Sequence, residues 1–266
     1  MRNVPLIRAK KLFVAVALLL VHLSPAQAAE NSTMMGDVLE DTKLYFTAPL
    51  RWDSRDWTLF AGTLGAIAVT HHYDDTVRQH FVANSTEPLD GSDPHSSKDW
   101  YPAAGILAGT WVYATLIQNR AGYQEGWSMI EAAGLSAASG FIFKQIAGRE
   151  RPNETTDVNR WFSKGDSFPS SHTTVTFAIG TMFAESGGDD YRWIRRIVGY
   201  GAAGATAYLR MKHNEHWLSD NVAGAALGFT TANFVLKRRG SHSPMSALSV
   251  APLDGGVLLT YSAPLR

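Results

Sequence analysis

Several features are absent or scarce in this chain, and each absence excludes a class of protein. The sequence of 266 residues has no cysteine, which excludes disulfide bonds and thiolate chemistry. Positive charge is not in excess, since 24 Lys and Arg residues balance 24 Asp and Glu residues, so we expect no nucleic-acid partner. Internal repeats and low-complexity runs are also absent. One domain with a sizeable core is therefore the default prediction.

Hydrophobic runs long enough to span a bilayer are also scarce. The apolar segments run for about 13–19 residues and often contain a charge such as Glu131 or Asp220, whereas a span needs roughly 20 apolar residues. The mean hydropathy of −0.11 is low for a multi-span protein. Segments 102–119 and 218–236 could still span with help from their neighbours. We expect a soluble or peripherally membrane-associated protein rather than a multi-span one.

Residues 1–28 have the three parts of a secretory signal peptide. Four basic side chains come first, an apolar stretch covers 12–23, and Ala26-Gln27-Ala28 matches an A-x-A cleavage site. The alternative is an uncleaved membrane anchor, for which the apolar stretch is short. We therefore expect an exported, periplasmic protein that is cleaved after Ala28 and is mildly acidic once mature.

The apolar pattern predicts an all-α fold, a bundle of about six or more helices. The segment 30–56 is mixed and polar, which predicts a short helix and a loop, and Asp56 is the predicted cap of the helix that follows it. Two stretches, 84–99 and 153–167, are predicted loops. In the tail, Asp254-Gly255-Gly256 between two apolar runs predicts a short β-hairpin. The predicted helices cover 57–69, 102–119, 127–147, 173–184, 191–209 and 216–237.

The segment from Phe168 to His172 has the pattern of a turn that opens a helix. Pro169 restricts the residue before it to an extended conformation, and Ser170 and Ser171 can cap a helix through their hydroxyls. A helix N-terminus presents unpaired N–H groups that suit an anion, and His172 can exchange protons near neutral pH. Serines before a helix are, however, most often only caps.

Two further motifs flank this turn. Upstream, Lys144 and Arg151 are seven residues apart, which on a helix over 128–149 would place both cations on one face, suited to a tetrahedral oxyanion. Downstream, His216 and Asp220 at i and i+4 could pair on a helix, so that Asp220 holds the imidazole Nδ1–H and leaves Nε2 nucleophilic. The plainer alternatives are a solvated basic helix end and a surface contact.

Taken together, the three motifs resemble the signature of the type 2 phosphatidic acid phosphatase (PAP2) superfamily, which includes bacterial acid phosphatases and vanadium haloperoxidases. That signature is K-x6-R-P, then P-S-G-H, then S-R-x5-H-x3-D. The resemblance covers 127–236 and implies a helical phosphatase domain over 29–240, followed by a tail over 241–266. The matching residues are Lys144, Arg151, Pro152, Pro169, Ser170, His172, Arg210, His216 and Asp220.

The chain departs from the signature at Ser171, where the family has Gly, and at Leu209, where it has Ser. Serine accepts positive φ and close backbone approach less readily than glycine. Ser171 keeps its backbone N–H, so contact with a phosphate can survive. Leu209 removes one hydroxyl from the third motif.

The resemblance implies a phosphatase that needs no metal or other cofactor. His216 would attack phosphorus and form a phosphohistidine, Asp220 would orient it, and His172 would protonate the leaving oxygen and then activate water. The expected substrate is a phosphorylated lipid or a small phosphate ester, and a membrane surface is a further expected partner. The phosphate would be held by Lys144, Arg151, Arg210, Ser170, Ser171 and the N–H of His172.

Three alternatives stay open at this point. A vanadate-dependent haloperoxidase would use His216 as the vanadate ligand, although the short chain argues against it. A non-enzymatic envelope protein with degenerate motifs would show no phosphate release. Finally, the cluster His71-His72-Tyr73-Asp74-Asp75 could bind a metal, but a polar helix end explains it equally simply.

Overall fold

The computed structural model describes residues 25–85, 98–116, 120–187, 191–240, 248–253 and 256–261. The regular structure of the described residues before the tail is entirely helical, which confirms the prediction of an all-α bundle. A short 3₁₀ helix, Ala48–Arg51, lies between the first two α-helices. The α-helices are α1 (Pro25–Phe46), α2 (Ser54–His72), α3 (Asp74–Ala83), α4 (Tyr101–Leu116), α5 (Arg120–Ala147), α6 (Ser171–Glu185), α7 (Arg192–Lys212) and α8 (Leu218–Arg238).

Helix α1 belongs to a compact unit that ends at Thr47, whereas the remaining elements belong to a second unit, Ala48–Arg266. The expectation of a short helix and loop over 30–56 is wrong, because α1 runs for 22 residues. Pro25 is a favourable first helical residue, and no other proline interrupts the chain before Pro49. The predicted signal peptide lies outside the described residues except for its last four, so cleavage after Ala28 stays a prediction.

Helix α6 is the centre of the second unit and packs against α5, α7 and α8. Its N-cap is Ser170, whose hydroxyl accepts from the N–H of Thr173 at 3.5 Å, which confirms the predicted capping role. The helix is buried over most of its length by threonine, alanine and other small or apolar side chains. The turn that opens α6 is therefore held rigidly at one end of the bundle.

A glycine allows α8 to lie directly against α6. A Cβ at Gly228 would be 2.1 Å from the carbonyl oxygen of Thr174, so only glycine permits this separation. The N–H of Ser170 in turn donates to the carbonyl oxygen of Asp220 at 3.1 Å. The close crossing thus holds the second and third motifs side by side.

The helix boundaries agree with the prediction at one functional position and differ from it at two. Helix α5 ends at Ala147, as predicted, because Gly148 has φ +50° and donates its N–H to Lys144 O at 2.9 Å. The helix over 128–149 that would place Lys144 and Arg151 on one face is therefore not formed. Helix α8 begins at Leu218 and not at 216. The N-cap of α2 is Asp53, which accepts from Asp56 N at 2.9 Å, whereas Asp56 is the third helical residue of a capping box.

In the tail, strands β1 (Leu248–Leu253) and β2 (Gly256–Tyr261) pair antiparallel. The pairing runs from Leu248 opposite Tyr261 to Leu253 opposite Gly256. Two of the three residues of the predicted turn, 254–255, lie outside the described residues, so the hairpin stays a prediction.

Within the described ranges, no helix is both long enough and apolar enough to cross a membrane. Many large apolar side chains are nevertheless exposed, and α2 has no buried residue at all. The exposed apolar residues of four helices are Trp57, Phe60, Leu64 and Val69 of α2, Val112, Tyr113 and Leu116 of α4, Phe141, Ile142, Phe143 and Ile146 of α5, and Trp193, Ile194, Ile197 and Val198 of α7.

Candidate active site

The structure brings the three motifs together at the N-terminal end of α6. Lys144, in the last turn of α5, directs its Nζ to the carbonyl oxygens of Asp166 and Ser167, just before the turn that opens α6. The contact from Ser170 to Asp220 joins the same turn to α8. Residues from distant parts of the sequence therefore surround one helix end.

Arg151 lies in the loop after α5 and not on the helix face that the sequence suggested. Its Nε and Nη2 donate to the two carboxylate oxygens of Asp166 at 2.7 and 3.1 Å, and its Nη1 donates to Glu215. The turn at Gly148 redirects the chain, so Arg151 reaches the site from the loop. Its guanidinium is half-buried and fully oriented by carboxylates.

Arg210, in the last turn of α7, is the second guanidinium of the site. It is buried, and it donates to Asp99 Oδ2 at 3.0 Å and to Glu215 Oε2 at 3.1 Å. Glu215 thus bridges Arg151 and Arg210 and offsets their mutual repulsion. His213 also contacts Asp99, with its Nδ1 at 3.1 Å from Oδ2.

His216 and Asp220 lie close together, although His216 is not on a helix as its i, i+4 spacing suggested. His216 sits in the loop between α7 and α8, and Asp220 is the third residue of α8. The distance from His216 Nδ1 to Asp220 Oδ2 is 3.6 Å, longer than a hydrogen bond. Ser167 lies between them, because its hydroxyl donates to Asp220 Oδ2 at 2.5 Å and lies 3.5 Å from His216 Nδ1.

Both histidines are held in the neutral form in the folded protein. Burial, and then the charges of Arg210, Arg151 and Lys144, lower the pKa of His172 to about 3. Burial and the same cations also lower the pKa of His216 well below its ordinary value. The positive charges of the same three side chains thus disfavour protonation of both imidazoles.

Lys144 and Asp220 are shifted by burial as well. Burial lowers the pKa of Lys144 to about 8, although the charge of Asp166 opposes this. Burial raises the pKa of Asp220 above its ordinary value, whereas Arg149 and the bonds from Ser167 and Trp217 N–H favour the carboxylate. A lysine that titrates near neutral pH is typical of functional sites.

The two departures from the signature occupy different environments. Ser171 is the first residue of α6 and has ordinary helical geometry, so serine is accommodated there without a positive φ. Leu209 is half-buried near the end of α7, where its carbonyl oxygen accepts from His213 N at 2.9 Å. Neither departure removes a charged group from the site.

Sequence reasoning missed five residues that complete the site: Ser167, Asp99, Glu215, Arg149 and Asp74. Arg149 looked like an additional basic residue at a helix end, yet its side chain is 0% exposed and pairs with Asp74 and Asp220. No local pattern could reveal Asp99, which is 111 residues from Arg210.

The cluster of His and Asp side chains over 71–75, which the sequence suggested as a metal site, contacts the candidate site through Arg149. His71 Nδ1 lies 2.9 Å from Asp74 Oδ2, and Asp74 pairs with Arg149 at 2.7 Å. His72 is exposed, and Asp75 accepts from Gln79. Across the described residues, no group of three or more His, Asp or Glu side chains is arranged to hold a metal ion.

Residues 125–242, which carry all of the predicted site residues, match the model of the PAP2 superfamily. This part of the chain therefore resembles members of that superfamily. A segment of 112 residues is also 32% identical to a lipid A 1-phosphatase of Porphyromonas gingivalis. The match covers 40% of this chain and 23% of that relative, so the chain aligns with much less than two thirds of the relative's length. No solved structure matches the chain.

Proposed function

We propose that this protein is a phosphatase that hydrolyses phosphate monoesters or diphosphates through a phosphohistidine. One observation carries the proposal: Lys144, Arg151 and Arg210 all act electrostatically on the neutral imidazoles of His172 and His216. A phosphoryl group placed between these residues has its negative charge balanced by side chains. It also has a nucleophile and a proton donor at hand.

In the first step, His216 Nε2 attacks phosphorus and the bond to the leaving oxygen breaks. The proton on Nδ1 faces Ser167 and Asp220, which leaves the Nε2 lone pair free, and the buried imidazole is neutral before attack. The long Nδ1–Oδ2 distance of 3.6 Å is expected to shorten as positive charge develops on the ring. Asp220 then stabilises the phosphorylated imidazolium.

His172 transfers the protons of both steps. It donates a proton to the leaving oxygen, and it then removes a proton from the water that attacks the phosphohistidine. Its pKa of about 3 without substrate would rise when a phosphate dianion offsets the charges of Arg210, Arg151 and Lys144. A phosphate monoester gives an alcohol and inorganic phosphate, and a diphosphate gives a monophosphate and inorganic phosphate. His216 is regenerated in both cases.

The phosphate oxygens are proposed to contact the three cations and the first-turn N–H groups of α6. Those of Ser171 and His172 belong to the first turn, whose N–H groups have no partner within the helix. Ser170 contributes differently from the expectation, since its hydroxyl caps α6 and its N–H donates to Asp220 O. We therefore propose that Ser170 determines the shape of the turn and does not contact the phosphate through its hydroxyl.

A lipid-linked substrate at the periplasmic membrane surface is the proposed natural context. The relative that is 32% identical over part of its length is named a lipid A 1-phosphatase. The exposed apolar residues on α2, α4, α5 and α7 would suit a lipid surface. The predicted signal peptide supports export.

Phosphate release from the purified full chain tests the function. We expect release from at least one of four substrates, phosphatidic acid, a polyprenyl diphosphate, lipid A and a soluble phosphate ester, and none from the His216→Ala control. Activity should persist in EDTA, and vanadate should inhibit it as a mimic of the pentacoordinate transition state. Vanadate-dependent halide oxidation without phosphate release would instead identify a haloperoxidase, and inactivity in every assay would indicate a binding protein.

A further inference from the structure

A fully buried ion cluster lies directly behind the pair of His216 and Asp220. The side chain of Arg149 is 0% exposed, and its Nη1 donates to Asp220 Oδ1 and its Nη2 to Asp74 Oδ2, each at 2.7 Å. Arg149 lies in the loop after α5, whereas Asp74 is the first residue of α3 and Asp220 lies in the first turn of α8. One guanidinium therefore joins three separate parts of the fold.

Asp74 also holds the start of α8 directly. Its Oδ1 accepts from Ser219 N at 2.8 Å and its Oδ2 from Ser219 Oγ at 2.6 Å, while Arg149 Nη1 donates to the same hydroxyl at 2.8 Å. A carboxylate from a different helix thus satisfies a free N–H at the positive end of α8. The residue next to Ser219 is Asp220, so this contact positions its backbone as well.

The consequence is that each oxygen of Asp220 has a fixed set of partners. Oδ1 is occupied by Arg149, and Oδ2 accepts from Ser167 Oγ at 2.5 Å and from Trp217 N at 3.0 Å while facing His216. The carboxylate cannot rotate without losing these bonds. Its orientation relative to the imidazole is therefore determined by groups that do not touch the reacting phosphate.

Two aromatic rings enclose the guanidinium. The Cζ of Arg149 lies 4.4 Å from the ring centroid of Trp161 and 5.1 Å from that of Trp217. These rings exclude water from the cluster and favour its positive charge. Trp161 lies in the loop predicted over 153–167, so this contact also holds that loop against the cluster.

We propose that Arg149, held by Asp74, is a positioning residue that fixes Asp220 against His216 Nδ1 and thereby keeps Nε2 directed at phosphorus. This inference rests on the proposed function, because it concerns the same nucleophile. It goes beyond the family signature, which contains neither Arg149 nor Asp74. The competing explanation is that the cluster only stabilises the fold.

A double-mutant cycle separates the two explanations. Arg149→Lys keeps the charge but cannot bridge both carboxylates, so we expect kcat to fall about 10- to 100-fold, the scale typical of partners that orient the groups of a site, with KM little changed. In an Asp220→Asn background the same substitution should cause almost no further loss, since it acts through Asp220. Independent multiplication of the two losses would overturn the proposal.

The matched control is Arg196→Lys. Arg196 donates to Glu185 at 2.9 and 2.8 Å through a similar two-bond contact, on a part of α7 that contains no site residue. This variant should retain the wild-type kcat. Asp74→Asn serves as a second test variant, because asparagine can still accept from Ser219 N; it should lower kcat in the same direction as Arg149→Lys.

A spectroscopic measurement keeps the proposal testable without turnover. Long-range ¹H–¹⁵N correlation spectra of the full chain report which nitrogen of His216 carries the proton, with His216→Gln used for assignment. We expect the Nδ1–H tautomer in the wild type and a mixture of tautomers in Arg149→Lys. An unchanged tautomer in Arg149→Lys, together with a changed one in Asp220→Asn, would contradict the positioning role. An inactive wild type would refute the proposed function alone, and the spectra would still decide this inference.

Discussion

At the scale of single residues, the site is a set of cations whose directions are determined by carboxylates before any phosphate binds. Arg151 is oriented by Asp166, Arg210 by Asp99, and Glu215 contacts both guanidiniums. These contacts reduce the repulsion between neighbouring cations and fix the orientation of the two guanidinium planes. Lys144 is different, because its oxygen partners are backbone carbonyls. Burial lowers its pKa to about 8, so among the three cations of the site Lys144 is the one whose charge changes near neutral pH.

The pKa of Lys144 predicts an alkaline limit to activity. Because burial lowers this pKa to about 8, the ammonium is charged below that pH and becomes neutral above it, so kcat/KM should fall as the pH rises through about 8. Lys144→Arg should move this fall to higher pH, since a guanidinium is not deprotonated in this range. Ionisation of the substrate is common to both enzymes and cancels in the comparison. An identical alkaline limb in the variant would show that another group titrates.

The two histidines should respond differently to the leaving group. His216→Ala removes the nucleophile, so turnover of every substrate should fall by several orders of magnitude. His172→Ala removes the general acid, so alkyl phosphate hydrolysis should suffer about 10²-fold more than p-nitrophenyl phosphate hydrolysis, because nitrophenolate leaves without protonation. Acid-labile ³²P labelling of the protein should vanish in His216→Ala and persist in His172→Ala. Equal losses for both substrates in His172→Ala would contradict the assigned roles.

At the scale of elements, catalytic geometry depends on how closely α6 and α8 approach each other. Helix α6 supplies His172 and its N-terminal N–H groups, and α8 supplies Asp220. Their contact runs through Gly228, where even one added methyl group would meet a carbonyl oxygen at 2.1 Å. A Cβ at Gly224 of the same helix would likewise be 2.8 Å from Ser170 O, so glycines at this contact determine the spacing of the two helices.

Gly228→Ala should accordingly destabilise the protein by about 1–3 kcal/mol, since the helices must separate to make room. Phosphatase activity should fall as well, because Asp220 moves with α8. The matched control is Gly201→Ala on α7, where an added Cβ meets nothing within 4 Å. This control should be neutral or stabilising by up to about 1 kcal/mol, given the higher helix propensity of alanine. Thermal melts and kcat measurements check both; equal Tm values for the two variants would refute the packing argument.

At the scale of the whole molecule, a polar site is combined with several helices that expose large apolar side chains. Helix α2 packs against α8, yet every one of its residues keeps part of its side chain accessible, and Trp57, Phe60 and Leu64 are among the most apolar of them. A surface of this kind is typical of a protein that meets lipid or another protein. Contact with a membrane surface stays a prediction.

Binding of the full chain to phospholipid vesicles tests this expectation. Replacing Phe60 or Leu64 by serine should weaken binding by roughly 1–2 kcal/mol each, about 5- to 30-fold, because less apolar area is buried in the bilayer. Thr58→Ser, at an exposed position of the same helix, should leave binding unchanged, since serine can keep the bond of Thr58 Oγ1 to Ser54 O. Co-sedimentation measures all three. Unchanged binding of both apolar-to-serine variants would exclude α2 as the lipid-contacting surface.

Much of the fold and of the site could be predicted because the relevant signals are local. The apolar pattern located most of the helices, and spacing within each short motif selected Lys144, Arg151, His172, Arg210 and His216, which the structure brings around one helix end. The errors are the length of α1, the helix α3, which no prediction covered, and the placement of Arg151, which enters a loop because Gly148 has φ +50°. Loop conformation at such points depends on contacts that local patterns do not contain.

The sequence by itself determined the class of fold, the resemblance to a superfamily and the chemical types of the candidate site groups, since these depend on residue identity and short spacing. Only the tertiary structure decided how the groups are oriented. Arg149 and Asp74 are 75 residues apart, and Asp74 and Ser219 are 145 apart, so their contacts exist only after α3 and α8 have packed together. The pKa values of Lys144 and His172 were decided in the same way, because burial and neighbouring charges are properties of the packed bundle.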